Sequence, residues 1–453
     1  MSRVAAVCLL VAFAAGCAGQ QAPPGVSPAR ALAQSGSRVP AKPYLNMPET
    51  AAGVLPPLLS ETGAFADVRV LEPASELLPY DLIVPFWSDG ATKSRFVAIP
   101  KGKVSFSPTG EWTFPPGTVF VKTFELPVDA AQPQRTQRLE TRLLVVDRSG
   151  SVYGVTYKWR ADLEDAELLP PEGLNEDIAI RDAGGTHAQT WYYPSRKDCL
   201  VCHNSHTSGV LGPKTRQMNR DLRYADGTTE NQLRRWNRLE LFSPAPDEKD
   251  IGSFATLARA TDTSRSLEDR ARSYLDADCA HCHRPGGTVA NFDARYETPL
   301  AAQQLVDGPV LIDEGVDRAR VISPHDPWRS IALMRIDTND DTRMPPLARN
   351  TIDTNGVALL REWILSLPGR DVLPPPSIAP AGGSFAGPVT VSLSSSAAGA
   401  EIRYTLDGSA PGPNDARYDG PIQIDGPTVL RARAYKNGLT RSVISQQTYL
   451  VGQ

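Results

Sequence analysis

The sequence predicts a multidomain α+β chain: an N-terminal all-β domain, a largely α-helical middle region and a C-terminal β-sandwich. Three observations carry this. Alternating β-type runs separated by Pro and Gly turns fill residues 60–195. Amphipathic stretches at helical spacing surround two Cys-x-x-Cys-His motifs between residues 191 and 368. A Pro-rich break, Asp371-Val-Leu-Pro-Pro-Pro376, is then followed by a second set of alternating strands.

At 453 residues the chain is too long for one core. Its composition is that of an ordinary globular protein, 41% apolar and 22% charged, and its net charge of −4 argues against nucleic acid as a partner. The N-terminus runs Met1-Ser-Arg3, an apolar stretch Val4 to Ala15, then Gly16-Cys17. This reads as an export signal over 1–17 with an h-region too short to span a bilayer. Phe13-Ala-Ala-Gly-Cys17 resembles a bacterial lipobox, which implies a diacylated Cys17 and a lipid anchor as the only membrane contact. Ala14 stands where that pattern has Leu, so ordinary cleavage nearby is the alternative. A linker over 18–55 and a periplasmic or outer-membrane location follow.

The β-rich domain is expected over 56–190. Its runs include Arg95-Phe-Val-Ala-Ile99, Val119-Phe-Val-Lys-Thr-Phe124, Arg138 to Val146 and Val152 to Tyr157, and they predict a sandwich or jelly-roll. Leu82 to Gly90, Glu140-Thr-Arg142 and Tyr157-Lys-Trp159 mix aromatic and charged residues. Aromatic core with solvated charge is the plainer reading of them; a binding face is the sharper one.

Of the six cysteines, Cys8 and Cys17 belong to the signal segment. The other four form Cys199-Leu-Val-Cys202-His203 and Cys279-Ala-His-Cys282-His283. Paired disulfides would not require a His behind each pair. A zinc site needs its two pairs about 12–20 residues apart. Two covalent haem c groups account for the whole pattern: two thiols add to the vinyls and the adjacent His ligates iron.

Around the second motif, Ser266 caps a helix carrying Leu267, Ala271, Tyr274 and Leu275. After it come Arg284-Pro-Gly-Gly287, Arg343-Met344-Pro-Pro346 and a helix beginning near Asp353 or Thr354, with Val357, Leu360, Ile364 and Leu367 on one stripe. This order is similar to a class I cytochrome c domain over 261–368. The resemblance implies His283 as proximal and Met344 as distal ligand. The first haem segment, 191–260, has a strand-and-turn lead-in, a run Gly212 to Asn219 and a closing helix over Asn231 to Trp236. His203 is its proximal ligand. Met218 is its distal candidate or, equally, a packing residue. His206 lies too near His203 to cross the haem face, and His187 is remote.

Val84 to Ala91, Phe114 to Thr118, Glu140 to Leu144, Gly212 to Asn219 and the two motifs together resemble an uncharacterised family of exported bacterial dihaem c-type cytochromes. Past the linker 369–377, Ile402-Arg-Tyr-Thr-Leu-Asp-Gly408 and Arg431-Ala-Arg-Ala-Tyr435 look like the immunoglobulin-like sandwich of chitobiases and related glycosidases, over 378–453. That module implies packing, spacing or carbohydrate contact. The leading function is electron transfer between an envelope dehydrogenase and a downstream acceptor, through redox partner proteins, rather than catalysis on a substrate of its own. The alternatives are a peroxidase-like dihaem oxidoreductase with an open site at the first haem, and a glycan- or protein-binding module with subordinate haems.

Overall fold

The computed structural model describes residues 40–287 and 291–452. The export signal, Cys17 and most of the linker lie outside the described residues. The N-terminal domain is built on one six-stranded antiparallel sheet: β1 (Leu77–Pro79), β2 (Thr92–Ala98), β3 (Val119–Pro127), β4 (Thr136–Val146), β5 (Val152–Trp159) and β6 (Ala166–Leu168). Each strand pairs with the next in sequence, so the sheet is a meander and not the sandwich or jelly-roll expected. The period-2 pattern explains why. Phe96, Val121, Leu143, Val155 and Tyr157 point to one face and pack on Leu45, Met47, Leu59 and Phe65, so the chain is already core at Ala41, within the stretch read as linker. A second sheet is replaced by this irregular segment.

The opposite face is covered unevenly. At one end Val97 and Phe120 join an aromatic cluster with Trp112, Trp236 and Phe242. At the other, Phe124 and Leu126 pack on Trp191 and Tyr193 of a hairpin, β7 (Leu174–Asp182) and β8 (Gly185–Tyr193). Between the two clusters the face stays open and forms a cavity.

The middle region holds α1 (Arg196–Cys202), α2 (Thr215–Met218), α3 (Gln232–Arg238), α4 (Leu267–Asp278), α5 (Ile331–Ile336) and α6 (Thr354–Ser366). Local signals place their starts. Ser195 makes a capping box with Asp198, Asn231 caps α3, Ser266 accepts from Asp269 N, and Asp353 accepts from Gly356 N. The expected largely α-helical, class I-like cytochrome c region is nevertheless overturned. Among the described residues strand makes up 30% and helix 16%, and the longest helix has 13 residues. Four of the six helices have seven residues or fewer, too short to bury a stripe alone. Turns and bends around Pro and Gly link them. Only α4 and α6 pack as a helix pair of any length, around Tyr274, Leu275, Leu360 and Trp363.

The run Leu82 to Gly90 is the seam between sheet and middle region. Gln217 bonds both backbone groups of Val84, at 2.9 and 2.7 Å. Trp87 N donates to Asp278 Oδ1 at 2.7 Å. Asp89 Oδ1 accepts from Asn350 N and Thr351 N, both at 2.8 Å.

The C-terminal module is a two-sheet sandwich. One sheet holds β9 (Ser377–Ala379), β11 (Val389–Ser394) and β14 (Ile422–Ile424). The other holds β10 (Gly383–Phe385), β12 (Glu401–Thr405), β13 (Ala416–Arg417), β15 (Thr428–Tyr435) and β16 (Ser445–Val451). Val391, Leu393, Leu430, Ala432 and Tyr449 fill the space between them. The Pro-rich linker is not a loose spacer. Leu373 is fully buried, its N–H donates to Thr440 O at 3.0 Å, and Arg329 Nη2 donates to Arg441 O and Ser442 O. No described helix is long and apolar enough to cross a membrane.

Replacing Asp89 with Ala removes the acceptor of two part-buried N–H groups, at Asn350 and Thr351, and should cost about 1–3 kcal/mol. Chemical denaturation should show that loss in the midpoint with an unchanged slope.

Candidate functional site

Both Cys-x-x-Cys-His motifs adopt the same local turn. His203 N donates to Cys199 O and His283 N to Cys279 O, each at 2.9 Å. An i, i+3, i+4 spacing on such a turn puts two thiols and an imidazole on one face. In the first motif that face is turned to the open side of the sheet. Cys199, Cys202 and His203 line the cavity; from the second motif Ala280 and His281 reach it, as does Arg284 just beyond the motif, whereas Cys279, Cys282 and His283 are not among its lining residues. The cavity has a volume of about 190 Å³ behind a solvent-open mouth, below the roughly 300–1,000 Å³ of common ligand pockets.

Two close approaches position the motifs. Gly154 on β5 carries no side chain because Cys199 occupies its place: a Cβ there would meet Cys199 Sγ at 2.8 Å. Gly286, at φ +78°, would meet His206 Nδ1 at 3.2 Å, so the loops behind the two motifs touch. Cys282 is close enough to Cys202 to help raise its thiol pKa. Burial first, then Cys282 and Cys199, pushes Cys202 up to about 12. Burial likewise raises Cys199 and Cys279. All four cysteines are thiols rather than disulfides. Among the described residues no cluster of three or more His, Cys, Asp or Glu could hold a metal ion by itself.

His203 is oriented. Its Nδ1 lies 2.9 Å from Gly209 O, so as the Nδ1–H tautomer it donates there and leaves Nε2 as the acceptor atom. Burial first, then Lys122, lowers its pKa to about 3 and keeps the ring neutral. The His283 ring stacks on Phe292 at 4.2 Å.

The two methionines differ. Met218 is fully buried in the aromatic cluster with Trp112 and Trp236 and is not among the cavity-lining residues. Met344 is half-buried in the loop between α5 and α6. Its N–H donates to Arg335 O, and its carbonyl accepts from Arg349 Nη1 at 2.6 Å. Leu347 and Ala348, just beyond it, reach the cavity.

Charges in the cavity were the feature sequence reasoning undervalued. Glu140 is fully buried and clasps Arg142 at 2.9 and 2.5 Å; Arg142 lines the cavity with Lys93, Arg95 and Lys122. The signal was available as cationic positions in phase with Phe120 and Leu144 on β3 and β4. His281, inside the second motif, was also passed over. It packs edge-on against Phe86 at 5.6 Å, and burial, then His283, lowers its pKa to about 4.

Opposite the sheet, Asp276 on α4 accepts from Lys214 at 2.8 Å and from Arg216 at 3.0 Å, and Arg216 reaches Glu297 at 2.7 Å. Lys214 and Arg284 both face Glu111 of the β-domain. Burial raises the Asp276 pKa, but Lys214 and Arg216 outweigh it and hold the carboxyl well below the ordinary range.

Against known protein families, residues 380–446 match the chitobiase/beta-hexosaminidase C-terminal domain, which agrees with the sandwich at that end. No curated protein and no solved structure matches the chain.

Replacing Asp276 with Asn leaves two buried cations short of a partner and should cost about 3–5 kcal/mol in denaturant unfolding. Because the folded pKa is depressed, the wild-type contribution is present above the ordinary carboxylate range and fades as pH falls below it; D276N should lack that part of the acid transition. Replacing Gly154 with Val drives α1 off β5 and should cost about 1–3 kcal/mol.

Proposed function

We propose that this chain is a c-type cytochrome that carries two covalent haem groups and passes electrons between protein partners. Cys199 and Cys202 would hold one group with His203 as proximal ligand; Cys279 and Cys282 would hold the other with His283. The single observation that carries this is the convergence of two motifs, distant in sequence, at one cavity, where Cys199, Cys202 and His203 meet Ala280 and His281 and the loops behind the motifs touch. Haem, when bound, supplies one-electron transfer.

The residues fit such a group in three ways. No disulfide ties up the four thiols, and Gly154 leaves Cys199 its seat. The Gly209 carbonyl fixes the His203 ring and reserves Nε2. Phe120, Leu144 and Val210 offer an apolar wall to a flat ring. Met344 is the sixth ligand proposed for the His283 iron, in a loop held by Arg335 and Arg349. The buried Met218 is read as packing. This assignment keeps the resemblance to exported dihaem cytochromes as part of the proposal, and with it the export signal, a lipid on Cys17 and an envelope location. The C-terminal module, docked by Arg329, is read as an accessory. Carbohydrate contact through it is a further part of the proposal.

The test is expression in a host with c-type maturation, followed by intact-mass and pyridine haemochrome analysis. Two covalent haems are expected in the wild type, and one in Cys199→Ser/Cys202→Ser. Gly154→Val should lose occupancy at the first motif only. A wild-type chain without covalent haem would overturn the proposal.

A further inference from the structure

The open face of the sheet carries a row of cations. Register pairs Arg95 with Lys122 and Lys122 with Arg142, directly across three strands. Like charges in that position destabilise a sheet, and here all three line a cavity instead of reaching bulk water. The outer two are compensated. Arg95 Nη1 contacts Asp81 at 3.1 Å, and Arg142 is clasped by Glu140. Lys122 sits between them, and among the described residues its ammonium makes no ion pair; its near neighbour is the Phe124 ring, 5.1 Å from Nζ to centroid. The carboxylates in the lining are engaged elsewhere. Asp276 holds Lys214, Glu111 faces Lys214 and Arg284, and Asp198 accepts from Tyr192 and Ser195. Beside the cationic row, the same face presents Phe120 and Leu144.

We propose that Arg95, Lys122 and Arg142 form a subsite for a carboxylate borne on an apolar body, with Lys122 as its direct partner. An ammonium fixed between two guanidinium groups is stabilised by an anion that enters the cavity. Phe120 and Leu144 cover the apolar part of the same molecule. Two sources supply this chemistry: a propionate of a porphyrin held at the motifs, or a free aromatic or aliphatic acid. The first source rests on the haem reading above; the second does not.

The experiment uses the full chain produced without haem maturation. It is titrated with haem and with haem dimethyl ester by Soret absorbance, and separately with benzoate by thermal shift. Wild type, Lys122→Met and Lys122→Arg are compared, each first shown by circular dichroism to be folded. If the porphyrin is the source, haem binds wild type at least about tenfold more tightly than its ester, the order of one charge-assisted pair. That ratio falls toward one in K122M and is restored in K122R. If a free acid is the source, benzoate raises the melting temperature of wild type and K122R and not of K122M. This result supports the subsite even if the matured chain proves to lack covalent haem. Equal binding of haem and ester to wild type, together with no benzoate effect that depends on Lys122, would overturn the subsite even if both haems are attached.

Discussion

The buried carboxylate of Asp276 is the interaction on which the rest of this arrangement depends. It sits on α4 one turn before the second motif and takes Lys214 and Arg216 from the segment after the first. Arg216 in turn donates to Thr109 O of the β-domain at 2.6 Å. Three stretches far apart in sequence are thus tied at one point. An ion pair in such a place is weak evidence of net stability, since desolvation offsets much of the attraction. Its effect is on geometry: a shift of α4 would separate Asp276 from Lys214 and Arg216, so the pair holds the second motif against the segment after the first.

From that lock the cavity follows. The sheet cannot close over its own open face, because Lys93, Arg95, Lys122 and Arg142 stand where a second layer would need apolar side chains. The aromatic clusters at either end act as pillars, and the middle segments bridge them. Asp89 and Trp87 pin the far side by holding the backbone at Asn350–Thr351 and the carboxylate of Asp278. The loop with Met344 is therefore anchored by the same short seam that orients α4.

Much of this was legible in the sequence, and unevenly so. The strands showed through because their alternation is strict and their turns carry Pro and Gly. The caps at Ser266 and near Asp353 showed because a side-chain acceptor must stand there. The two motifs announced a shared chemistry through spacing alone. What failed was tertiary. Amphipathic stripes on α4 and α6 suggested a helical domain, but a stripe reports a buried face, not how much helix surrounds it. The run Gly212 to Asn219 looked like a ligand loop because it contains Met218; its polar residues are buried because Gln217 holds Val84 while Lys214 and Arg216 hold Asp276. Charge on β4 was read as solvated because burial of a cation is unfavourable in isolation, and only the fold shows what it faces.

Whether the two motifs serve one cavity is the central question, and circular dichroism across the Soret band of the matured chain addresses it most directly. If both motifs carry a porphyrin, the touching loops behind them bring the two groups close enough to couple and give a bisignate Soret couplet that collapses to a single-signed band in Cys199→Ser/Cys202→Ser. A wild-type spectrum equal to the sum of two single-haem variants, with no couplet, would contradict the account.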